Sequence, residues 1–143
     1  MPYVFLEDVA VADIAFKAWG EDLQETFISA ADAVMGAMIE DPDAIQPRER
    51  RSIRLANDAL DMLLFDFLQE LVYYKDAESI LLRVQEVQVT QGDELSTLRA
   101  TAAGEKLDPT RHQQRADVKA VTLHRFSLER TPRGWEAMVV LDI

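Results

Sequence analysis

The setting of Asp13 points to cation chemistry. Residues 10–16 read AVADIAF, a small and apolar run of strand type in which Asp13 is the one charged residue. A carboxylate in such a run is costly to bury unless it is paired or binds a cation. Spacing alone equally allows Asp13 to point outward from an alternating strand, so both interpretations stay open.

A second acidic group lies at the end of the sequence. Residues 139–143 read VVLDI, an apolar strand pattern followed by the Asp142 side chain and the backbone carboxylate of Ile143. Two carboxylates this close repel each other unless a positive charge lies between them. Oxygen ligands suit magnesium, calcium or manganese. Asp142 and Ile143 are therefore candidate metal ligands, and the alternative is an edge strand with a solvated end.

Two further residues could do chemistry, although each has a simpler interpretation. Lys119 lies among residues of buried type in the segment DVKAVT, where it could also be an edge-strand lysine that extends to solvent. Glu25 follows Asp22 by three residues, the spacing of a helix capping box, and we favour the cap.

Familiar catalytic motifs are absent. The chain has no GxSxG, GxxxxGK[ST], GxGxxG or HExxH sequence, and it has no cysteine, which excludes disulfides and a thiol nucleophile. Its two histidines have no ligand-like neighbours. We expect His112 to be solvated in a loop and His124 to be a hydrogen-bonded structural residue in a strand.

The elements that must position these residues follow from apolar periodicity. Helices are predicted at 22–39, with Asp22 as N-cap, and at 59–74, with Asn57 or Asp58 as cap. The second has the wider apolar face and is expected to be the more buried. Strands are predicted at 9–18, 48–56, 80–91, 95–103, 117–130 and 135–142, the last four as two hairpins.

These elements predict the α+β class, with two helices packed on a largely antiparallel sheet of about six strands. The apolar phase shifts between Val84 and Val87, which indicates a bulge or a change of buried face. Residues 105–116 lack periodicity and form a loop long enough to suggest a function.

Length and charge limit the remaining choices. A chain of 143 residues is predicted to form one domain, 1–143. Its net charge of −11 disfavours direct nucleic-acid binding as the main task, because an acidic surface repels a phosphate backbone. The arginines at 48, 50, 51 and 54 are a local anion patch or, as we favour, the wet face of a strand. No secretory signal or membrane span is recognised, and a cytoplasmic location is expected.

Four blocks of the sequence resemble the archease family, the accessory proteins of RtcB-type RNA ligases. The resemblance covers nearly the whole chain, in the family's order. Its most specific parts are Ala12-Asp13, the segment Lys119-Ala120-Val121-Thr122 and the final Leu141-Asp142-Ile143. Also similar are Ala18-Trp19-Gly20, the helix starts LQETF (23–27) and LLFDFLQE (63–70), and Gly104-Glu105.

The resemblance implies an α+β protein without catalysis of its own. Archeases bind a divalent cation (calcium, manganese or magnesium) through aspartates that match Asp13 and Asp142, and Ile143 would supply a third ligand. A functional lysine of the family falls on Lys119 and a functional glutamate on Glu25. Archeases promote guanylylation and multiple turnover of the ligase, which joins RNA ends in tRNA splicing and RNA repair with GTP and manganese.

One departure from the family concerns the segment before Ala12-Asp13. The usual His-Thr is missing, and Asp8 or Glu7 is the expected substitute as metal support. Two other functions are retained as alternatives: a small carboxylate-metal-dependent phosphohydrolase, with His124 or Lys119 as acid or base, and a metal-free chaperone or interaction module.

Overall fold

The computed structural model describes Pro2–Leu6 and Asp13–Ile143. Asp8 and Glu7, expected to support the metal, lie outside the described residues. Only the part of the predicted strand 9–18 that starts at Asp13 can be compared.

The described residues form two α-helices, α1 (Leu23–Met38) and α2 (Leu60–Glu78), and a short 3-10 helix (Pro42–Ala44). They also form seven strands, one more than the six predicted. The added strand is the short N-terminal β1. The strands are β1 (Tyr3–Leu6), β2 (Asp13–Gly20), β3 (Glu49–Asn57), β4 (Ile80–Thr90), β5 (Ser96–Lys106), β6 (Ala120–Thr131) and β7 (Gly134–Asp142).

The strands form two antiparallel sheets instead of one. One has four strands in the order β1-β2-β7-β6, and the other has three in the order β3-β5-β4. Helix α1 packs against β2 of the first sheet and β4 of the second, and α2 contacts β6 as well as β3 and β4. The helices therefore lie between the sheets, around one continuous apolar core. The predicted α+β class is confirmed.

The expectation that α2 is the more buried helix is wrong. Twelve of the 16 residues of α1 are buried, against six of the 19 in α2. Helix α1 is contacted from both sheets, and its small residues, such as Ala30, Ala33 and Gly36, let the neighbouring layers approach closely. An apolar stripe predicts which face of a helix is buried, but not whether its other face is also covered.

The helix starts are partly as predicted. Asp22 is the N-cap of α1 and accepts a hydrogen bond from the Glu25 backbone N–H at 2.8 Å. The cap of α2 is Ala59, which makes no side-chain hydrogen bond, so neither Asn57 nor Asp58 is the cap. Asn57 instead stabilises the residues just before the helix, since its Oδ1 accepts a hydrogen bond from the backbone N–H of Ala59 at 3.0 Å.

Both predicted hairpins are present, and both contain irregular pairing. The register of β4 and β5 shifts between Val84 and Glu86, which confirms the predicted bulge. A larger shift, which was not predicted, falls between Thr122 and Ser127 of the edge strand β6. His124 lies in that irregular stretch and is exposed, so its expected role as a structural histidine is wrong.

The long loop has a structural role. Strand β5 continues to Lys106, and the residues beyond it run along the end of α1. The backbone N–H groups of Arg115 and Ala116 donate to the carbonyls of Met38 and Ala37, at 2.9 and 3.1 Å. The last carbonyls of a helix have no partner within it, so this loop satisfies groups that would otherwise be buried without a partner.

Gly134 at the β6–β7 turn is predicted to be intolerant of a side chain. Its φ is +145°, and an added Cβ would lie 2.1 Å from the carbonyl oxygen of Gly20. We expect Gly134→Ala to lower the free energy of unfolding by about 2 kcal/mol or more, measured by urea denaturation. Arg133→Ala is the control, because Arg133 is exposed in the same turn and its truncation introduces no new contact. Equal losses in the two variants would contradict this account.

Candidate functional site

The structure brings the two candidate aspartates together from opposite ends of the chain. Strands β2 and β7 are neighbours, and their register places Asp13 directly opposite Asp142. Residues paired in this way have Cβ atoms about 4.5–5.5 Å apart. Neither residue's sequence neighbourhood contains this information, since the pairing joins the first and last long strands of one sheet.

Both aspartates lie on the same face of that sheet. Ile14 and Phe16 of β2, and Val139 and Leu141 of β7, belong to the core cluster or pack against it. Because side chains alternate along a strand, the aspartates face away from the helices, and both are half-buried. Asp13 therefore escapes the cost of full burial, but the repulsion between directly opposed like charges remains.

The donor set at this position suits a hard cation. Two facing carboxylates offer oxygen ligands only, which is the chemistry preferred by calcium, magnesium and manganese. Ile143 follows Asp142 directly and is half-buried. Across Pro2–Leu6 and Asp13–Ile143, no three His, Asp or Glu side chains gather in a way that could hold a metal ion. A site here would need ligands besides the two aspartates.

Lys119 lies beside this pair, although its side chain is directed elsewhere. Its backbone N–H donates to the Asp142 carbonyl at 2.8 Å, while Ala120 is the residue paired with Asp142. The exposed Lys119 side chain lines an open cleft of about 610 Å³ along α2, together with Gln69, Glu70 and Tyr73 among others. The backbone of Lys119 therefore lies next to the Asp13–Asp142 pair, one residue before Ala120, where β6 begins.

Lys75 holds the segment that leads to Lys119, and sequence reasoning missed it. Its Nζ donates to Asp117 Oδ1 at 2.9 Å and to the Val118 carbonyl at 2.7 Å, and its side chain is 10 % exposed. Burial by itself lowers the pKa of Lys75, but the bonds to Asp117 and Asp76 outweigh it and raise the pKa. A lysine in the last turn of a helix gave no signal of this long-range contact.

Glu25 lies at the other end of the sheet from the aspartates. Its carboxylate accepts the Glu21 N–H at 2.8 Å, and its Cβ lies beside Gly20, where β2 ends. The seven residues from Asp13 to Gly20 span roughly 23 Å at about 3.3 Å per residue. Glu25 therefore stabilises the start of α1, as the capping spacing predicts. It lies too far from Asp13 and Asp142 to bind the same ion.

A buried acid–base cluster, also missed from the sequence, fixes the long loop against β5. Glu105 is 4 % exposed and accepts from Arg111, from the Gln46 backbone N–H at 2.7 Å and from His112 Nε2 at 3.0 Å. Burial by itself raises the pKa of Glu105, but these hydrogen bonds and the Arg111 charge lower it to about 2. Glu105 is therefore an anion at neutral pH.

The expectation that His112 is solvated is wrong, since it is 2 % exposed. Its Nδ1 accepts from the Asp108 backbone N–H at 2.9 Å, so the ring proton resides on Nε2, which donates to Glu105. The hydrogen bonds thus select the neutral histidine with one defined tautomer. The ring closes the turn at 108–112 and is occupied on both nitrogens.

The arginine cluster divides between two faces of β3. Arg50 and Arg54 are exposed, as expected for the wet face of a strand. Arg51 points the other way, where it pairs with Glu78 and lies over the Tyr74 ring at 5.9 Å. Arg48 lies 3.6 Å from Glu105.

The fold and the site define a class: a small α+β protein that joins the two ends of its chain at a pair of facing carboxylates. Among the described helices, none is long and apolar enough to cross a membrane. The model of the Archease protein family (MTH1598/TM1083) matches residues 3–143. The chain belongs to the archease family.

Curated relatives and solved structures agree with this assignment. The chain is 35 % identical over 133 residues to Protein archease of Pyrococcus abyssi, covering 92 % of this chain and 93 % of the relative. It is 35 % identical over 144 residues to Protein archease of Methanosarcina mazei, covering 99 % and 95 %.

The chain is also similar to the solution structure of Methanobacterium thermoautotrophicum protein 1598, with a TM-score of 0.85, 31 % identity and 99 % of both chains covered. An archease from Thermotoga maritima, described as a possible chaperone, shares the fold at a TM-score of 0.55 and 16 % identity, with 94 % of this chain and 93 % of that chain covered.

The Glu105 cluster predicts an acid-sensitive contribution to stability. The pKa of Glu105 is lowered on folding, so its contribution is fully present above 4.5 and is lost as pH falls towards about 2. Glu105→Gln should lower the free energy of unfolding by about 2 kcal/mol at pH 7, because this buried position loses its charge-assisted hydrogen bonds with Arg111 and His112. When urea denaturation is repeated from pH 7 down to pH 2.5, the free energy of unfolding should fall less in this variant than in the wild type.

The matched control is Glu94→Gln, since Glu94 is exposed in the β4–β5 turn. That variant should keep the wild-type dependence on pH. Parallel curves for Glu105→Gln and the wild type would show that Glu105 is not the group responsible.

Proposed function

We propose that this protein is a non-catalytic activator of an RtcB-type RNA ligase and works through a divalent cation held at Asp13 and Asp142. The observation that carries the proposal is the direct cross-strand pairing of these two aspartates. The archease membership supports the partner, because the resemblance attributes guanylylation and repeated turnover of such a ligase to this family.

Electrostatics supports a cation between the aspartates. Facing carboxylates destabilise a strand pair unless a positive charge offsets them, and the nearest lysine extends its side chain along α2 instead. The proposed ligands are Asp13, Asp142 and the carboxylate of Ile143, with Asp8 as a supporting residue. A bound cation would supply a Lewis acid at one end of the β2–β7 pair, on the face turned away from the helices, where a partner's site can approach it.

The surrounding residues are assigned positioning and charge roles. Asp13 and Asp142 hold the cation, Lys75 fixes the segment before β6, and Lys119 presents a positive charge in the cleft along α2. Such a charge suits the phosphate or carboxylate groups of a ligase and its nucleotide. The ligase, and not this chain, carries out RNA joining, which implies a cytoplasmic role in tRNA splicing or RNA repair.

The test of the proposal is ligation by the RtcB-type enzyme from the same source, with RNA ends in excess over enzyme and with GTP and manganese. Addition of this protein should convert a single turnover into many. A ligase that is active but unaffected by this protein would contradict the activator role. Phosphate release from model esters under the same conditions would favour the phosphohydrolase instead.

Neutralising the aspartates should remove metal binding without unfolding the protein. Asp13→Asn and Asp142→Asn each remove one charge from the facing pair and should weaken manganese binding at least tenfold by calorimetry. Both should also abolish stimulation of the ligase. Asp93→Asn, at an exposed position in the β4–β5 turn, is the matched control and should behave as wild type. Failure of the wild type to bind calcium or manganese would favour the metal-free chaperone.

The carboxylate of Ile143 can be tested by extending the chain. A short glycine-serine extension after Ile143 replaces that carboxylate with an amide and should weaken manganese binding by about tenfold or more. The same extension at the N-terminus is the control. Equal affinity for both extended forms would remove Ile143 from the ligand set and leave the aspartates in place.

A further inference from the structure

A large groove lies at the end of the β2–β7 pair that is remote from the aspartates. It has a volume of about 1380 Å³ and passes over the end of the sheet, between the start of α1 and the β6–β7 turn. Trp19 and Trp135 line it, and Pro2, Ile28 and Pro132 complete its apolar walls. We name it the tryptophan groove.

Close backbone packing gives the groove its form. Gly20 and Gly134 let the end of β2 and the β6–β7 turn approach each other, since no Cβ fits at either position. The backbone N–H of Trp19 also donates a hydrogen bond to the Pro2 carbonyl, at 2.9 Å. Trp19 is nevertheless 40 % exposed, which is unusual for so large an apolar side chain. These backbone contacts fix the position of Trp19 at the end of the sheet, where its apolar surface remains exposed.

The rim of the groove is acidic. Four carboxylates line it against a single arginine, Arg133. Asp32 is paired with Arg83 at 3.3 Å, and Glu136 lies 3.8 Å from Lys17. Within the described part of the chain, no salt bridge involves the other two acids, Glu21 and Glu25, and both are exposed.

Aromatic walls with acids at the rim match the side chains of arginine and lysine. The cationic head can lie over an indole face while its aliphatic stem contacts apolar surface. Trp135 already has such a partner within the chain, since the Arg130 guanidinium lies 5.7 Å from the centre of its ring. No cation of the described residues covers Trp19 in the same way.

We propose that the tryptophan groove docks a basic, arginine-bearing segment of the partner protein. Charge complementarity favours this occupant: the groove repels nucleic-acid phosphates, while its walls are too apolar for a site that binds only a small ion. The identification of that partner as the ligase depends on the proposed function, but the chemistry of the groove does not. Docking here would anchor the partner roughly 23 Å from the aspartate pair.

Intrinsic fluorescence gives a direct test, because the chain has two tryptophans and both line the groove. The probe is a ten-residue peptide of alternating arginine and glycine, with a glutamate–glycine peptide of equal length as control. We expect the arginine peptide alone to change the tryptophan emission, in a saturable way that weakens as salt is raised. Unchanged emission with the arginine peptide would overturn the proposal.

Charge-neutral variants separate this groove from general attraction to an acidic protein. The double variant Glu21→Gln/Glu25→Gln should bind the arginine peptide about tenfold more weakly, because both rim charges without an ion pair are removed. The double variant Asp93→Asn/Glu94→Gln removes two equally exposed charges on the other sheet and should leave the affinity unchanged. An equal loss of peptide affinity in the rim variant and in its control would contradict a specific site at the groove.

The ligase assay distinguishes failure of this inference from failure of the proposed function. The double variant should need about tenfold more protein for half-maximal stimulation, whereas Asp13→Asn should lose stimulation at every concentration yet bind the arginine peptide as the wild type does. Peptide binding without any stimulation by the wild type would support the groove and overturn the ligase as its partner. An unchanged half-maximal concentration in the double variant would refute ligase docking at the groove.

Discussion

The antiparallel pairing of β2 with β7 is the constraint on which the rest of the molecule depends. It joins the first and last long strands of one sheet along their whole length, from Asp13 opposite Asp142 to Gly20 opposite Trp135. One end of this strand pair carries the facing carboxylates, and the other carries the tryptophan groove. A slip of one residue would turn every side chain of a strand to the opposite face and would separate the aspartates.

The layers around this pair explain how the register is maintained. Phe16 of β2 and Val139 of β7 point into the core that surrounds α1, so the inner face of both strands is fixed by apolar burial. The long loop that caps α1 is fixed in turn by Glu105 and His112. The buried acid thus acts on the site only indirectly, through the loop and helix against which β2 packs.

Under the proposed activator role, a chain without a familiar catalytic motif supports a reaction that its partner carries out. The aspartates face outward and are half-buried, and the backbone of Lys119 lies beside them. Side chains on this outward face meet a partner's site more readily than side chains in an enclosed pocket. The proposed activator role therefore uses one end of β2 for chemistry and the other for attachment.

Local patterns in the sequence determined the helices, the hairpins, the Asp22 cap and the bulge of β4, because each depends on residues close together along the chain. The sequence also singled out Asp13 and Asp142 as residues that could hold a cation. Only the tertiary structure decided that they face each other, that Glu25 lies far from them and that α1 is the more buried helix. Each of these results depends on which strand or layer lies next to an element, and periodicity carries no information about that neighbour. His112 shows the same limit: a polar residue in an irregular segment has the pattern of a solvated one until its buried partner, Glu105, is known.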